Sequence, residues 1–188
     1  MSEGFLTGRM LIAMPGIDDP RFERAVILMC AHDHDCAMGL AVNRPFDGLS
    51  TADLLRRLGM EPDEALEDSS VLIGGPVDLE RGFVLHTDDY SCPGSSLPIG
   101  NGLAWTATRD ALEAMADFSR RPRRALLALG YAGWSGGQLE RELQDNVWLI
   151  CDPDEALLFD EDHELKWTRA LAKIGVSAAQ LSNQAGRA

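Results

Sequence analysis

Residues 26–40, VILMCAHDHDCAMGL, place Cys30, His32, His34 and Cys36 at every second position. Two thiols and two imidazoles are a zinc complement, and whether they gather depends on the backbone between them. In an unbroken strand all four would face one way, since side chains alternate with a period of two. At about 3.3 Å per residue, Cys30 and Cys36 would then stand roughly 20 Å apart, too far for one ion with ligands at about 2.0–2.3 Å. The flanks indicate a turn instead. Ala25 to Met29 and Ala37 to Val42 are short apolar runs rich in β-formers. Asp33, His34 and Asp35 between them make a polar loop of the length that joins antiparallel strands. A hairpin brings Cys30 and Cys36 across from one another and leaves the zinc reading open. The competing reading is a solvated turn with two incidental histidines.

An antiparallel hairpin near the start sets the class for the rest of the chain. Met10 to Met14 reads as a first strand, stopped by Pro15 and Gly16. Ser50 and Asp53 stand in capping-box positions before STADLLRRLGM, a helix stopped by Gly59. VLIGGPV and RGFVLH read as two strands joined by a Gly-Pro turn, and SCPGSSLPIGNG as a loop. Thr108 is placed to cap a helix running to about Ser119, with Leu112, Met115 and Ala116 on one face. RALLALGYA reads as a buried strand, Gly136 and Gly137 open the short helix QLERELQ, and VWLIC is a further strand. The last helix, about Glu164 to Ile174, carries the stripe Trp167, Ala170, Leu171 and Ile174. Strands first in hairpin runs, then mixed with helices, predict a mixed α/β or α+β fold in a single domain over residues 1–188.

Composition narrows the function. Thirty acidic against seventeen basic residues give a net charge of −13. That balance opposes direct binding to duplex DNA, whose affinity rests on cationic contacts to phosphates. The local exception is SRRPRR, with Arg120, Arg121, Arg123 and Arg124, read as a solvated helix exit. No apolar stretch approaches the roughly 20 residues of a membrane span, and MSEGFLTGRMLIAMPG has no basic leader of a signal peptide. The expected location is the cytoplasm, with Cys30, Cys36, Cys92 and Cys151 reduced.

Several motifs imitate catalytic sites. GWSGG, residues 133–137, is a formal G-x-S-x-G around Ser135, between a strand and a helix, with Asp145, Asp152, Asp154 and then His163 downstream. Against a hydrolase, His163 falls in the acidic stretch FDEDHELKW, read as an exposed helix entry. The alternative nucleophile is Cys30 with His32 or His86, which would need a nearby cation to lower its pKa. The same glycines could cradle an anion, but no Lys or Arg stands at the loop, and IGGPVDLERG also lacks the P-loop lysine. The seven carboxylates between Asp152 and Glu164 lack EF-hand spacing. No cofactor pattern is read.

Taken together, GRMLIAMPGIDDPRFERAVILMCAHD, AMGLAVNRP, IGGPVDLERGFVLHT and LGYAGWSGGQLERELQDNVWL closely resemble the AlgH/YqgE family of bacterial proteins. The resemblance extends through WTRALAKIGVSAAQLSNQAGRA. It implies one compact α/β unit with a bent, largely antiparallel sheet forming a partial barrel, with helices outside. Some members are labelled transcriptional regulators, though no family motif is a helix-turn-helix. The family stretch at the first hairpin reads like C-E-H-x-x-x-G-A-M-G-L, so Cys30 and His32 match while His34 and Cys36 do not. Position 135 is commonly Gly in the family, so the resemblance does not require Ser135 as a nucleophile. It also points to a surface pocket built by the motif loops. Asn43, Arg44 and Pro45 would contribute from one loop, and Gly74, Gly75, Pro76 and His86 from a second. Tyr131, Trp134, Gln138 and Glu140 would complete it, with the Trp134 indole expected against the GGPV and GFVLH strands and Gln138 expected to reach a neighbouring loop's backbone. This set offers a bidentate cation, aromatic platforms, an amide and an imidazole, suited to a small polar ligand or a protein partner.

Overall fold

The structure, a computed structural model, describes residues 4–66 and 68–185. The ends of the expected 1–188 unit, residues 1–3 and 186–188, lie outside the described residues. The expected hairpin is present. After β1 (Met10–Ala13), β2 (Val26–His32) and β3 (Cys36–Ala41) pair antiparallel, with His32 opposite Ala37 and Ala31 opposite Met38. Asp33 Oδ1 accepts the N–H groups of Asp35 and Cys36 and so closes the turn. The expected facing of Cys30 and Cys36 does not occur. The register slips between Met29 and Ala31, which buries Cys30, while exposed Cys36 lies across from Ser135. One bulge residue re-aims the side chains beyond it, and the four would-be zinc ligands are dispersed.

The next elements are β4 (Pro45–Ser50), α1 (Thr51–Arg57), β5 (Ser70–Ile73) and β6 (Val77–Thr87). Ser50 caps α1 by accepting the Asp53 N–H. Where a breaker-rich loop was expected, the chain makes β7 (Ser96–Gly100), paired with β8 (Leu103–Thr106). Then come α2 (Arg109–Ala116), β9 (Ala125–Ser135), α3 (Gln138–Gln144) and β10 (Trp148–Cys151). Helix α2 ends before Ser119 because Asp117 Oδ1 takes both the N–H and the hydroxyl of Ser119, a local competitor to helical bonding. The chain closes with α4 (Glu155–Leu158), α5 (Lys166–Lys173) and α6 (Ala178–Ala185). The strand order is β10-β1-β2-β3-β9-β6-β8-β7, with β4 joined through β5 to β9. All pairs are antiparallel except β5 with β9, and the sheet curls into a half-barrel, the expected mixed α/β class.

Both faces of this sheet are buried, which explains unbroken apolar runs such as AVILMC. Met10, Ile12, Val26, Leu28, Leu40 and Phe83 share one core with Leu157, Leu158, Trp167 and Leu171 from the C-terminal helices. On the opposite face Leu11, Ile27, Met29 and Trp134 pack with Trp148 and with Leu139 of α3. A third cluster joins Val71, Val84 and Leu127 to Ala111 and Met115 of α2.

The strands β5 and β6 do not pair with each other, contrary to the sequence expectation. Leu129 pairs with Ile73 of β5 and with Gly82 of β6, so these strands lie on opposite edges of β9. The chain therefore crosses β9 within Gly74–Gly75–Pro76. Gly74 donates its N–H to Leu129 O and accepts from Ala41 N–H. A Cβ on Gly74 would overlap the Gly130 carbonyl, and one on Gly75 would overlap the Tyr131 carbonyl group. Gly130 itself has φ of 74°, a bulge conformation that only glycine adopts without cost. The bulge also switches the faces of β9. Leu126, Ala128 and then Tyr131 belong to the central core, whereas Ala132 and Trp134 belong to the opposite one. The strand expected in RALLALGYA thus runs on past Ala132 through Gly133, Trp134 and Ser135.

In the last helix Trp167, Ala170 and Leu171 are buried as expected, and Ile174 is half-exposed. Lys166 is 0% exposed, its ammonium donating to Val42 O (2.7 Å) and Leu158 O (2.8 Å). His163 is buried too, against the expectation of an exposed helix entry, because a 3₁₀ turn at His163–Leu165 rotates it inward next to Lys166.

This architecture makes two outcomes testable. Gly75→Ala should destabilise by more than about 4 kcal/mol, the range of backbone collisions, whereas Gly16→Ala, with open space at its Cβ, should stay within about 0.5 kcal/mol. Thermal melts of the two variants measure this. Burial lowers the Lys166 pKa from 10.5 to about 8. Between those values the unfolded chain holds the proton that the folded chain has released, so stability rises with pH across that window, by about 3 kcal/mol in total. Urea unfolding at intervals from pH 7 to pH 10.5 should show this rise relative to Lys166→Met, in which it vanishes.

Candidate functional site

The crossing leaves Pro76 and Val77 beside the last residues of β9, and two clefts open there. One, of about 430 Å³, is floored by Tyr131, Phe83 and Trp105, with Met38 and Arg81 at its sides. Phe83 meets Tyr131 edge-on at 5.8 Å, and the Arg81 guanidinium lies 5.3 Å over the Phe83 ring. The other, of about 370 Å³, runs between Phe22 and Gln138, with Asp19, Arg21 and Glu142 on its rim. Val77, Gly133 and Trp134 line both, so the two clefts meet at a shared ridge, together termed the groove. Val77 is 37% exposed and begins an excursion, Asp78 to Arg81, before β6 rejoins β9 at Gly82. Asp78, at φ of 49°, starts that detour.

The groove gathers Pro76, Tyr131, Trp134 and Gln138 from the sequence-derived set. The indole of Trp134 is 5% exposed and meets Trp148 edge-on at 6.0 Å. It therefore packs against β1, β2 and β10, not against GGPV and GFVLH as expected, because the Gly130 bulge has turned it to the other face. Gln138 does not reach a neighbouring loop either. Its Oε1 accepts the Ser135 N–H at 3.0 Å, closing the tight Gly136–Gly137 turn.

The remaining residues serve elsewhere. Asn43 Oδ1 accepts Val26 N–H while its amide donates to Arg24 O. Arg44 donates to Pro20 O and Glu23 O, and burial draws its pKa down. Together they clamp the segment that carries Arg21 and Phe22, so they shape the groove from behind. Pro45 opens β4 across from Leu72. Gly74 and Gly75 form the crossing. His86 is wholly buried. Its Nδ1–H donates to Thr87 O, its Nε2 accepts from Thr106 Oγ1, and burial lowers its pKa. Glu140 accepts the His32 Nε2–H at 2.6 Å, while His32 Nδ1 accepts Leu6 N–H. That pair fastens α3 to β2. The Glu140 carboxyl is held below its usual range, first by its own backbone N–H at the helix start and also by His32.

Neither nucleophile has catalytic surroundings. The Ser135 hydroxyl donates to Gln138 Oε1 at 3.3 Å. His163 lies by Lys166, which holds Val42 O, and Val42 is six residues along from Cys36, the partner of Ser135. That span is roughly 20 Å of strand. The Cys30 thiol donates to Leu28 O, and burial pushes its pKa up to about 12, so it stays a thiol. Sequence reasoning missed Val77, Arg81 and Trp105 as groove residues. Val77 and Arg81 lie in β6 and Trp105 in β8, which pairs directly with β6, so no local motif links them in the sequence.

The AlgH-like family matches residues 10–179. The chain belongs to that family. A relative from Caulobacter vibrioides is 66% identical over 184 residues, 98% of this chain and 94% of its own. One from Rhodospirillum rubrum is 46% identical over 186 residues, covering 99% and 96%. The solution structure of the AlgH protein from Pseudomonas aeruginosa matches with a TM-score of 0.78 and 42% identity, covering 100% of this chain and 98% of that one. A crystal structure from Corynebacterium diphtheriae shares the fold at a TM-score of 0.75 and 17% identity, over 94% and 91%.

With Trp134 enclosed, Trp134→Ala should cost about 3–5 kcal/mol as a core truncation. Gln138→Ala should cost about 1 kcal/mol, the loss of one turn-closing hydrogen bond. Chemical denaturation of both variants checks the ordering, and a Trp134→Ala protein with wild-type stability would contradict it.

Proposed function

We propose that this AlgH-like chain is a binding or regulatory module of the cytoplasm, acting as one unit through the groove at the end of β9. The observation that carries the reading is the shared ridge. Val77, Gly133 and Trp134 join an aromatic floor to a polar-rimmed cleft, on strands that the glycine crossing holds rigidly. Preorganised, mostly apolar concavities with a few polar groups at the edge are the usual form of a ligand site. The half-buried Trp105 and Tyr131 rings, packed over buried Phe83, offer faces and edges to a flat apolar group, and Arg81 adds a cation beside them. The occupant is a small molecule with a flat apolar part, or an aromatic side chain of a protein partner. Any effect on transcription then runs through that occupant. Among the described residues no helix is long and apolar enough to cross a membrane.

A screen of small aromatic compounds by amide NMR tests this. Bound compounds should shift the signals of Val77, Gly133 and Trp134, and Val77→Glu, a change at a half-exposed position, should remove those shifts while leaving the melting temperature within a few degrees. The wild-type protein should give no gel shift with duplex DNA at physiological salt. Compounds that bind with Val77→Glu unaffected, or a salt-sensitive gel shift, would refute the reading.

A further inference from the structure

Arg121 to Arg124 of the SRRPRR segment, unused by the groove, line a cavity of about 400 Å³. None of its lining residues is shared with the groove. The three arginines that line the cavity are not equivalent. Arg123 is spent on Glu155, which holds its guanidinium through both oxygens. Arg121 donates from Nη2 to Ala65 O at 3.0 Å and lies 4.9 Å over the Phe118 ring. Its Nη1 is buried with no partner among the described residues. Arg124 is anchored through its backbone, which exchanges hydrogen bonds with Thr87. Its guanidinium makes no hydrogen bond or ion pair among the described residues, although it lines the cavity. A buried donor without an acceptor is uncommon in folded proteins, and its usual explanation is an acceptor that binds there.

The rest of the lining says what kind of molecule that acceptor belongs to. Met115 and Phe159 supply an apolar wall, and buried Pro122 lies alongside. Asp68 and Glu161 face the same space, each with an oxygen already accepting backbone N–H groups, from Ala52 and Ser69 and from Ser70. These two carboxylates oppose a densely charged polymer, yet leave acceptors for a hydroxyl or N–H group. Guanidinium forks bind carboxylate and phosphate oxygens in pairs. We infer that this cavity binds a small organic anion, its phosphate or carboxylate head held by Arg121 and Arg124 and its apolar body against Met115 and Phe159.

The test titrates the full chain, followed by amide NMR at constant ionic strength, with four probes. Phenyl phosphate and benzoate carry a ring and a head, inorganic phosphate the head alone, and benzyl alcohol the ring alone. Either ring anion should give saturable shifts at Ala65, Ser69, Arg121 and Ala125, and the tighter of the two identifies the head. Inorganic phosphate should bind at least about tenfold more weakly, and benzyl alcohol should leave those signals in place. Arg124→Gln removes an exposed guanidinium that makes no hydrogen bond or ion pair among the described residues, so the melting temperature should stay within a few degrees while affinity falls by about tenfold or more, as for a lost charge-assisted pair. The inference is overturned by binding that Arg124→Gln leaves unchanged, or by shifts spread over all exposed arginines. Absence of any saturable shift up to about 10 mM also overturns it.

Discussion

Everything in this fold depends on one contact between two stretches of backbone, Gly74–Gly75 lying across Gly130–Tyr131. The chain leaves β5 on one edge of β9 and must start β6 on the other, and the shortest route passes directly over the strand. At that separation no Cβ fits on Gly74 or Gly75. The crossing in turn needs β9 to yield, which it does through the left-handed conformation of Gly130. Three glycines thus let ten strands form one continuous curled sheet.

The bulge has consequences well beyond its own turn. By shifting the alternation of β9 by one residue, it sends Tyr131 into the central core and Trp134 into the opposite one. The groove exists because these two aromatic residues, close in sequence, are buried on different faces with Gly133 between them. Val77 completes the ridge because the chain emerging from the crossing has nowhere else to go. The His32–Glu140 pair and the Gln138 turn closure then fix α3 against the strand that carries the ridge.

Buried polar groups obey one pattern. Lys166, His86 and Asn43 all satisfy main-chain groups at points where strands or, at Leu158, a helix end and regular bonding no longer does so. Such groups look functional in a sequence because they are polar, unusual and set in glycine-rich surroundings. Their partners show that they are joints. Arg44 belongs with them, since both of its acceptors are carbonyls of the Pro20–Glu23 turn region. The exceptions among the described residues include Arg121, whose buried Nη1 is left without an acceptor, and the ring nitrogens of His163.

The local elements were legible in the sequence because local physics makes them. The hairpin around Asp33, the Ser50 cap, the glycine stop at Gly59 and the short helix after Gly137 each rest on residues a few positions apart, and each is present. The mixed α/β class was legible too, from the order of strands and helices. What the sequence could not decide was pairing across distance. VLIGGPV and RGFVLH read equally well as a hairpin or as two strands separated by a third, since alternation says which faces are apolar and not which edge meets which. The side on which Trp134 packs was equally hidden, because it depends on the sign of one φ angle at Gly130, and that angle is forced by a chain 55 residues earlier. The motif residues were thus recognisable as a set from sequence alone. Their division into joint, ridge and groove was settled only where the tertiary structure brought backbone against backbone.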